Sequence, residues 1–310
     1  MPETMKTAVL RPRLILKPLL ALAMLASAFA PAARAAEPER IVAIGGALTE
    51  IVYALGRQDA IVAVDATSLY PEQALKDKPS VGYFRNLAAE GILSLRPTRV
   101  LAVEGAGPPA ALEAVASSGV PVVRIADTPS AEGVAAKIVA TGVAVGAPAE
   151  ARARAEKIAA RFAELARERE KITTPKRVLF VIAVQNGRLL CGGKGTAADA
   201  VIHLAGGVNA VDFDGYKPLT DEALVAAAPQ AIVAMSRDGV IASNAILALP
   251  TVAQTPAGQN RRVVDMDGLF LIGFGPRAPD AARAVMAFLY PSLAPEKWSK
   301  TPAGAPAAAR

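Results

Sequence analysis

The sequence repeats itself, and the repeat limits the possible fold more than any other feature. Residues 87–102, LAAEGILSLRPTRVLA, align without a gap to residues 219–234, LTDEALVAAAPQAIVA. Leu87 matches Leu219, Glu90 matches Glu222, Pro97 matches Pro229, and Val100–Ala102 matches Ile232–Ala234. Each copy reads as a short helix halted near a proline and followed by a buried strand. RIVAI and RVLFV open the two halves with one arginine and an apolar run, and TEIVYALG has a looser counterpart in TAADAVIHLAGG. A duplicated unit of this kind predicts two similar lobes.

The units are α/β. RIVAIGG (40–46), AIVAVD (60–65), RVLAV (99–103) and VPVVRIAD read as strands, with helical segments LTEIVYALG, AAEGILSLRP and PPAALEAVASSG between them. That alternation predicts parallel strands buried on both faces. It breaks at 148–172, where PAEARARAEKIAARFAELAREREKI has no glycine and no internal proline. Ile158, Phe162 and Leu165 recur there at helical spacing, so a single long helix is expected. The predicted fold class is α/β: two Rossmann-like lobes with mostly parallel sheets joined by one long α-helix. The expected organisation is a leader over 1–35, a first lobe over 36–147, the linking helix over 148–173, a second lobe over 174–292 and a flexible tail over 293–310.

The leader carries Lys6, Arg11, Arg13 and Lys17, then the apolar run PLLALAMLASAFA, then a small-x-small site at Ala33–Arg34–Ala35. This is the pattern of a cleaved export signal, and the run is too short to span a membrane. Removing it takes away five basic side chains and one acid, so the net charge of +6 falls to about +2, and the basic balance that would favour nucleic acid is gone. One cysteine, Cys191, allows no intramolecular disulfide, and its position excludes lipid attachment at a mature N-terminus. One histidine, His203, argues against a zinc site of the multi-histidine or multi-cysteine kind. The expectation is an exported, soluble protein that is not embedded in a membrane and does not bind nucleic acid. Two lobes with a cleft and no catalytic constellation suit a binding protein better than an enzyme.

Few side chains remain to carry chemistry. Tyr83, in VGYFRNL, falls on a loop between the second strand and its helix, on the side of an open α/β sheet that faces the crevice. Its phenol either packs on the lobe surface or ligates ferric iron, as tyrosine does in some haem proteins. A phenol titrates at about 10 and needs a nearby cation to hold it ionised. Arg85 is adjacent, and Arg237, after the strand of the second repeat, is expected to face the same cleft. Tyr70, in SLYPEQ, is the rival phenol and reads as a loop or cleft-rim residue. His203 falls on or beside the apolar face of AADAVIHLAG and reads as structural, and Cys191 as a quiet buried thiol. CGGKGTAAD (191–199) lacks the phosphate-loop spacing and reads as a glycine turn into a helix. Glu50 and Glu222 each lie at the start of a helical stretch, where an acid compensates the helix dipole.

The segments RIVAIGGALTEIVYALG, VGYFRNLAAEGILSLRPTRVLA, GTAADAVIHLAGG, YKPLTDEALVAAAP and LFLIGFGPRAP together resemble the haem-specific periplasmic substrate-binding proteins of bacterial ABC importers. The resemblance spans about 40–290. It implies an inter-lobe cleft holding haem b, with Tyr83 as the axial iron ligand and Arg237 as the arginine that hydrogen-bonds it. It implies Arg85, Tyr70 and Lys194 near the cargo, with Lys194 or main-chain N–H groups around it meeting a propionate. Relatives that stack a second haem use a histidine on the loop after the first strand of the second lobe. That loop here reads VQNGR (184–188), so one haem per chain is expected. The resemblance also implies one exposed glutamate per lobe docking onto the importer's membrane subunits, Glu50 and Glu222, with Glu90 competing for the role. A periplasmic monomer loaded by an outer-membrane haem receptor is expected, with little lobe movement on binding. The alternative cargoes on the same fold are a siderophore or a corrinoid. An exported hydrolase would need His203 as its base, and no GxSxG elbow exists.

Overall fold

The computed structural model describes residues 1, 4, 38–236 and 242–293. The expected leader, the tail beyond Leu293 and Arg237 therefore lie outside the described residues.

The first lobe is built on four strands, β1 (Ile41–Ile44), β2 (Ile61–Val64), β3 (Arg99–Val103) and β4 (Val122–Ile125), all parallel in the order β2-β1-β3-β4. All four residues of β1 are buried, as an apolar strand covered on both faces must be. Taking helices of seven residues or more, α1 (Gly46–Ala54), α2 (Pro109–Ser117) and α3 (Ala131–Ala144) supply the cover. The linking helix is α4 (Pro148–Arg169), and its buried residues Ala151, Ala155, Ile158, Phe162 and Leu165 form one stripe at spacings of four and three.

The second lobe carries β5 (Arg177–Gln185), β6 (Arg188–Gly192), α5 (Ala197–Leu204), β7 (Val208–Asn209), β8 (Tyr216–Pro218), α6 (Asp221–Ala227), β9 (Ala231–Ser236), β10 (Val263–Asp267) and α7 (Ala278–Leu289). Its sheet runs β10-β9-β5-β6-β8, with β7 pairing β5. β10, β9, β5 and β7 are parallel, but β6 and β8 are antiparallel. The sheet is therefore mixed. The reason is the Asn186–Gly187 pair, which holds φ 50 and φ 74. Two positive φ values in succession fit a tight hairpin turn, and they fold the chain back after β5.

The sequence repeat is a structural repeat. The short helix Ala89–Leu93 and β3 correspond to α6 and β9. The residue before each repeat proline is left-handed, Arg96 with φ 47 and Ala228 with φ 42. The opening arginines act alike: Arg40 donates to the carbonyls of Leu95 and Arg96, and Arg177 donates to that of Ala227. Each satisfies helix-terminal carbonyls that would otherwise lack a partner.

The described residues from Glu39 to Leu293 belong to one compact unit. A single apolar cluster joins β1 and β3 of the first lobe, the stripe of α4, and Val178, Phe180, Val233 and Val285 of the second. Gly46 lies where no side chain fits: a Cβ there would sit 2.2 Å from the Thr67 carbonyl oxygen and 2.8 Å from the Leu269 side chain of the second lobe. Lys137, 1% exposed, crosses between the lobes. It pairs with Asp127 and donates to the Phe274 carbonyl at 3.1 Å.

Candidate functional site

Tyr83 stands on a loop that the sheet holds at its carboxyl end. Ser80 bridges to Val64, the last residue of β2, and Ala66 N–H donates to Gly82 O. Gly107, in the loop after β3, donates to Phe84 O and accepts from Leu87 N–H, while Asn86 N–H closes a turn onto Tyr83 O at 2.7 Å. The loops following β2 and β3 thus pin the backbone on both sides of Tyr83. Its ring meets Phe84 edge-on at 4.9 Å and stays 48% exposed. Arg85 lies over the other aromatic, its guanidinium 5.0 Å from the Phe84 ring centre.

A second phenol, which sequence reasoning did not single out, lies in the other lobe. Tyr216, at the start of edge strand β8, pairs with Gly192 of β6. A Cβ on Gly192 would be 3.2 Å from the Tyr216 ring, so the glycine is what lets the ring lie there. Burial pushes the Tyr216 phenol above its ordinary range, while the Thr196 hydroxyl, the Ala198 N–H and the charge of Arg85 pull the other way. The charge of Arg85, a first-lobe residue, is the smallest of these influences. Lys194 is exposed, on a loop tied to the loop before Tyr216 by Lys194 N–H to Phe213 O and Gly193 N–H to Gly215 O.

Glu50 requires a correction. The docking role expects an exposed acid, but Glu50 is 4% exposed and belongs to a cross-lobe ion pair. Arg277 donates from Nε at 3.1 Å and Nη2 at 3.0 Å to one oxygen, and from its backbone N–H at 3.1 Å to the other. Burial raises the Glu50 pKa, and Arg277 opposes that rise. The same guanidinium stacks 3.6 Å over the Tyr70 ring and 5.5 Å from Phe270. Tyr70 is an exposed loop residue, and this loop position also makes it part of the inter-lobe stack.

Exposed acids do stand at corresponding places. Glu90 and Glu222, the repeat-matched pair, are both exposed in the first turn of their helices. Its own backbone N–H and Thr220 hold Glu222 below the usual carboxylate range, with a smaller pull from Arg188. His203 is exposed on α5, with Nε2 3.4 Å from Asp199. Cys191 is fully buried, and burial pushes its thiol up to about 12. Two cavities are defined in the second lobe. One of about 420 Å³ is lined by Gln185, Asn186, Arg188, Leu190 and Pro218, and one of about 270 Å³ lies by Arg169 and His203. Among the described residues no cluster of three or more His, Cys, Asp or Glu side chains is arranged to hold a bare metal ion, and no helix is long and apolar enough to cross a membrane.

Comparison with known proteins agrees with this geometry. The family model for periplasmic binding proteins matches residues 41–268. The periplasmic haem-binding protein BhuT, solved with two haems, is 41% identical over 83% of this chain and 99% of its own, with a TM-score of 0.77. The periplasmic haem-binding protein RhuT from Roseiflexus sp. RS-1 is 36% identical over 83% and 99%, with a TM-score of 0.78. A vitamin B12-binding protein of Yersinia pestis is 30% identical over 63% of this chain and 69% of its own.

Proposed function

The chain belongs to the periplasmic binding protein family, a family of substrate-binding proteins rather than enzymes, and from that premise we propose that it captures haem between its lobes through a Tyr83 phenolate and delivers it to an ABC importer. The observation that carries this reading is Tyr83 itself: an exposed phenol on a loop pinned at the carboxyl ends of a parallel sheet, where such folds bind their ligands. The 41% identity to a haem-binding relative supports the cargo. Phenolate is a hard anionic donor suited to ferric iron. A nearby cation favours its ionised form; Arg85 is a neighbour in the loop, and Arg237 remains the arginine expected from the second lobe.

The protein works in the periplasm after its leader is cleaved following Ala35, as a monomer loaded with one haem by an outer-membrane receptor. Glu90 and Glu222 are the docking acids, one per lobe, and charges at such rims set orientation and on-rate. The test is titration of the mature protein with hemin, followed in the visible spectrum. Wild type and Tyr70→Phe should develop the high-spin band of a phenolate-ligated iron, and Tyr83→Phe should lose it. An unchanged band in Tyr83→Phe overturns the ligand assignment. A corrinoid is the second reading, favoured by the Yersinia pestis relative; saturable uptake of cyanocobalamin without uptake of hemin would establish it.

A further inference from the structure

We infer that Asp65 is a positioning residue for Tyr83: its buried carboxylate fixes the turn after β2, and that turn holds the main chain on which the Tyr83 phenol stands. The inference rests on the haem reading above and adds a residue and a role to it. Asp65 directly follows β2 and is fully buried. Its backbone N–H donates to the carbonyl of Ala43 in β1, which keeps it in line with the sheet. One carboxylate oxygen accepts from Gly45 N–H at 2.8 Å and from the Ser68 hydroxyl at 3.0 Å. The other accepts from Thr67 N–H at 2.9 Å and from the Thr67 hydroxyl at 2.6 Å. That hydroxyl accepts in turn from the N–H of Gly46, the first residue of α1, at 3.1 Å. One side chain thus ties the loop after β1 to the turn after β2.

The connection to Tyr83 is one peptide long. Ala66, next after Asp65, donates its N–H to Gly82 O at 2.8 Å, and Val81 N–H donates to the carbonyl of Val64, just before Asp65, at 2.9 Å. The bonds on either side of Asp65 therefore end on the two residues that precede Tyr83, and Gly82, at φ 90, turns the chain into it. The site needs an acid. Gly45 N–H and Thr67 N–H belong to the main chain and cannot rotate, and each meets a different oxygen, so both side-chain atoms must be acceptors. A carboxylate meets that demand. An amide sets its NH2 group against one of the two N–H groups whichever way it is flipped. Burying a charge is costly unless it is hydrogen-bonded, and four donors beside the N-terminus of α1 answer that cost. With the turn fixed in advance, iron finds the phenol in place. A loosened turn lowers the fraction of chains competent to bind and weakens apparent affinity by the same factor.

The test is a cycle of hemin titrations on the mature protein: wild type, Asp65→Asn, Tyr83→Phe and the double variant. Thr255→Val, which removes a buried helix cap in the second lobe, controls for stability lost elsewhere. Asp65→Asn should weaken hemin binding about tenfold, the worth of one main-chain donor left without its acceptor, and diminish the phenolate–iron band at saturation. It should speed hydrogen exchange at the Ala66 N–H of the unloaded protein. In the Tyr83→Phe background it should change hemin affinity by less than about twofold, since the residue it positions is gone. Thr255→Val should lower Tm and leave band and affinity as in wild type. If Asp65→Asn does not fold, Thr67→Val, which removes one donor to the carboxylate and the acceptor of Gly46 N–H, is measured in its place with the same expectations. The positioning role is refuted if the turn variant keeps wild-type affinity, band or Ala66 exchange, if it weakens hemin equally with and without the Tyr83 phenol, or if Thr255→Val alters the band as much. If Tyr83→Phe alone leaves the band unchanged, the ligand reading fails and the positioning role with it; if Tyr83→Phe abolishes the band and the turn variant is silent, the positioning role alone fails.

Discussion

Replacing Arg277 with methionine isolates the cross-lobe ion pair. The Glu50 side chain is 5% exposed and that of Arg277 19%, so an abandoned carboxylate has almost no water to turn to. Removing one partner of a buried pair costs about 3–5 kcal/mol. Methionine retains much of the aliphatic bulk but loses the guanidinium face on Tyr70, worth about 1 kcal/mol. A loss of about 4 kcal/mol is expected, lowering Tm by on the order of 10 °C for a domain of this size. The loss should depend on pH. Burial raises the Glu50 pKa and Arg277 opposes it, so without Arg277 the native-state pKa climbs further while the unfolded one stays ordinary. The native variant then holds a proton that its unfolded chain has released, and its stability falls as pH rises between the two pKa values. Urea unfolding followed by far-UV circular dichroism should therefore give a smaller deficit near pH 5 than near pH 8. Adding Glu50→Gln to Arg277→Met should recover most of the loss, since no charge is then stranded. A deficit under about 1 kcal/mol, or one equal at both pH values, would refute the argument.

Glu90→Ala and Glu222→Ala should each reduce stimulation of the importer's ATPase by haem-loaded protein while hemin titrations stay as in wild type; full stimulation in the double variant would rule these acids out as docking groups. With its thiol buried and held at about 12, Cys191 should not react with Ellman's reagent at pH 8 until denaturant is added, and rapid reaction of the native protein would contradict the burial. Solution scattering curves with and without hemin should nearly superimpose, because the core, Lys137 and Glu50 all cross between the lobes; a change in radius of gyration of several per cent would show that these contacts open.

What could be read in the sequence was periodic or repeated. The stripe Ile158, Phe162 and Leu165 predicted α4, and the proline-anchored match of 87–102 with 219–234 predicted two units that share a left-handed residue before each proline. The mixed character of the second sheet was signalled by Asn186–Gly187, a hairpin dipeptide that reads as a plain loop when only helix–strand alternation is followed. The partner of Glu50 was not legible: Arg277 lies 227 positions away, and nothing local distinguishes an acid that will be buried from one that will dock. The helix-start argument treated Glu50 and Glu222 alike, although only Glu222 has a capped and solvated first turn. The repeat register instead pairs Glu222 with Glu90, an acid that is likewise exposed in the first turn of its helix. Tyr216 escaped notice because its place depends on pairing with Gly192 of another strand, a neighbour that no spacing rule connects.

The continuity of apolar packing through α4 makes that helix a wall common to two rooms rather than a tether between two buildings. The first half made by itself would expose the face that α4 shares with Val178, Phe180 and Val233, while the second half keeps a cluster of its own around Leu179, Cys191 and Ile232. A cut through α4 would therefore strand apolar surface on the first half above all, and trimming the protein to that lobe would remove what covers it.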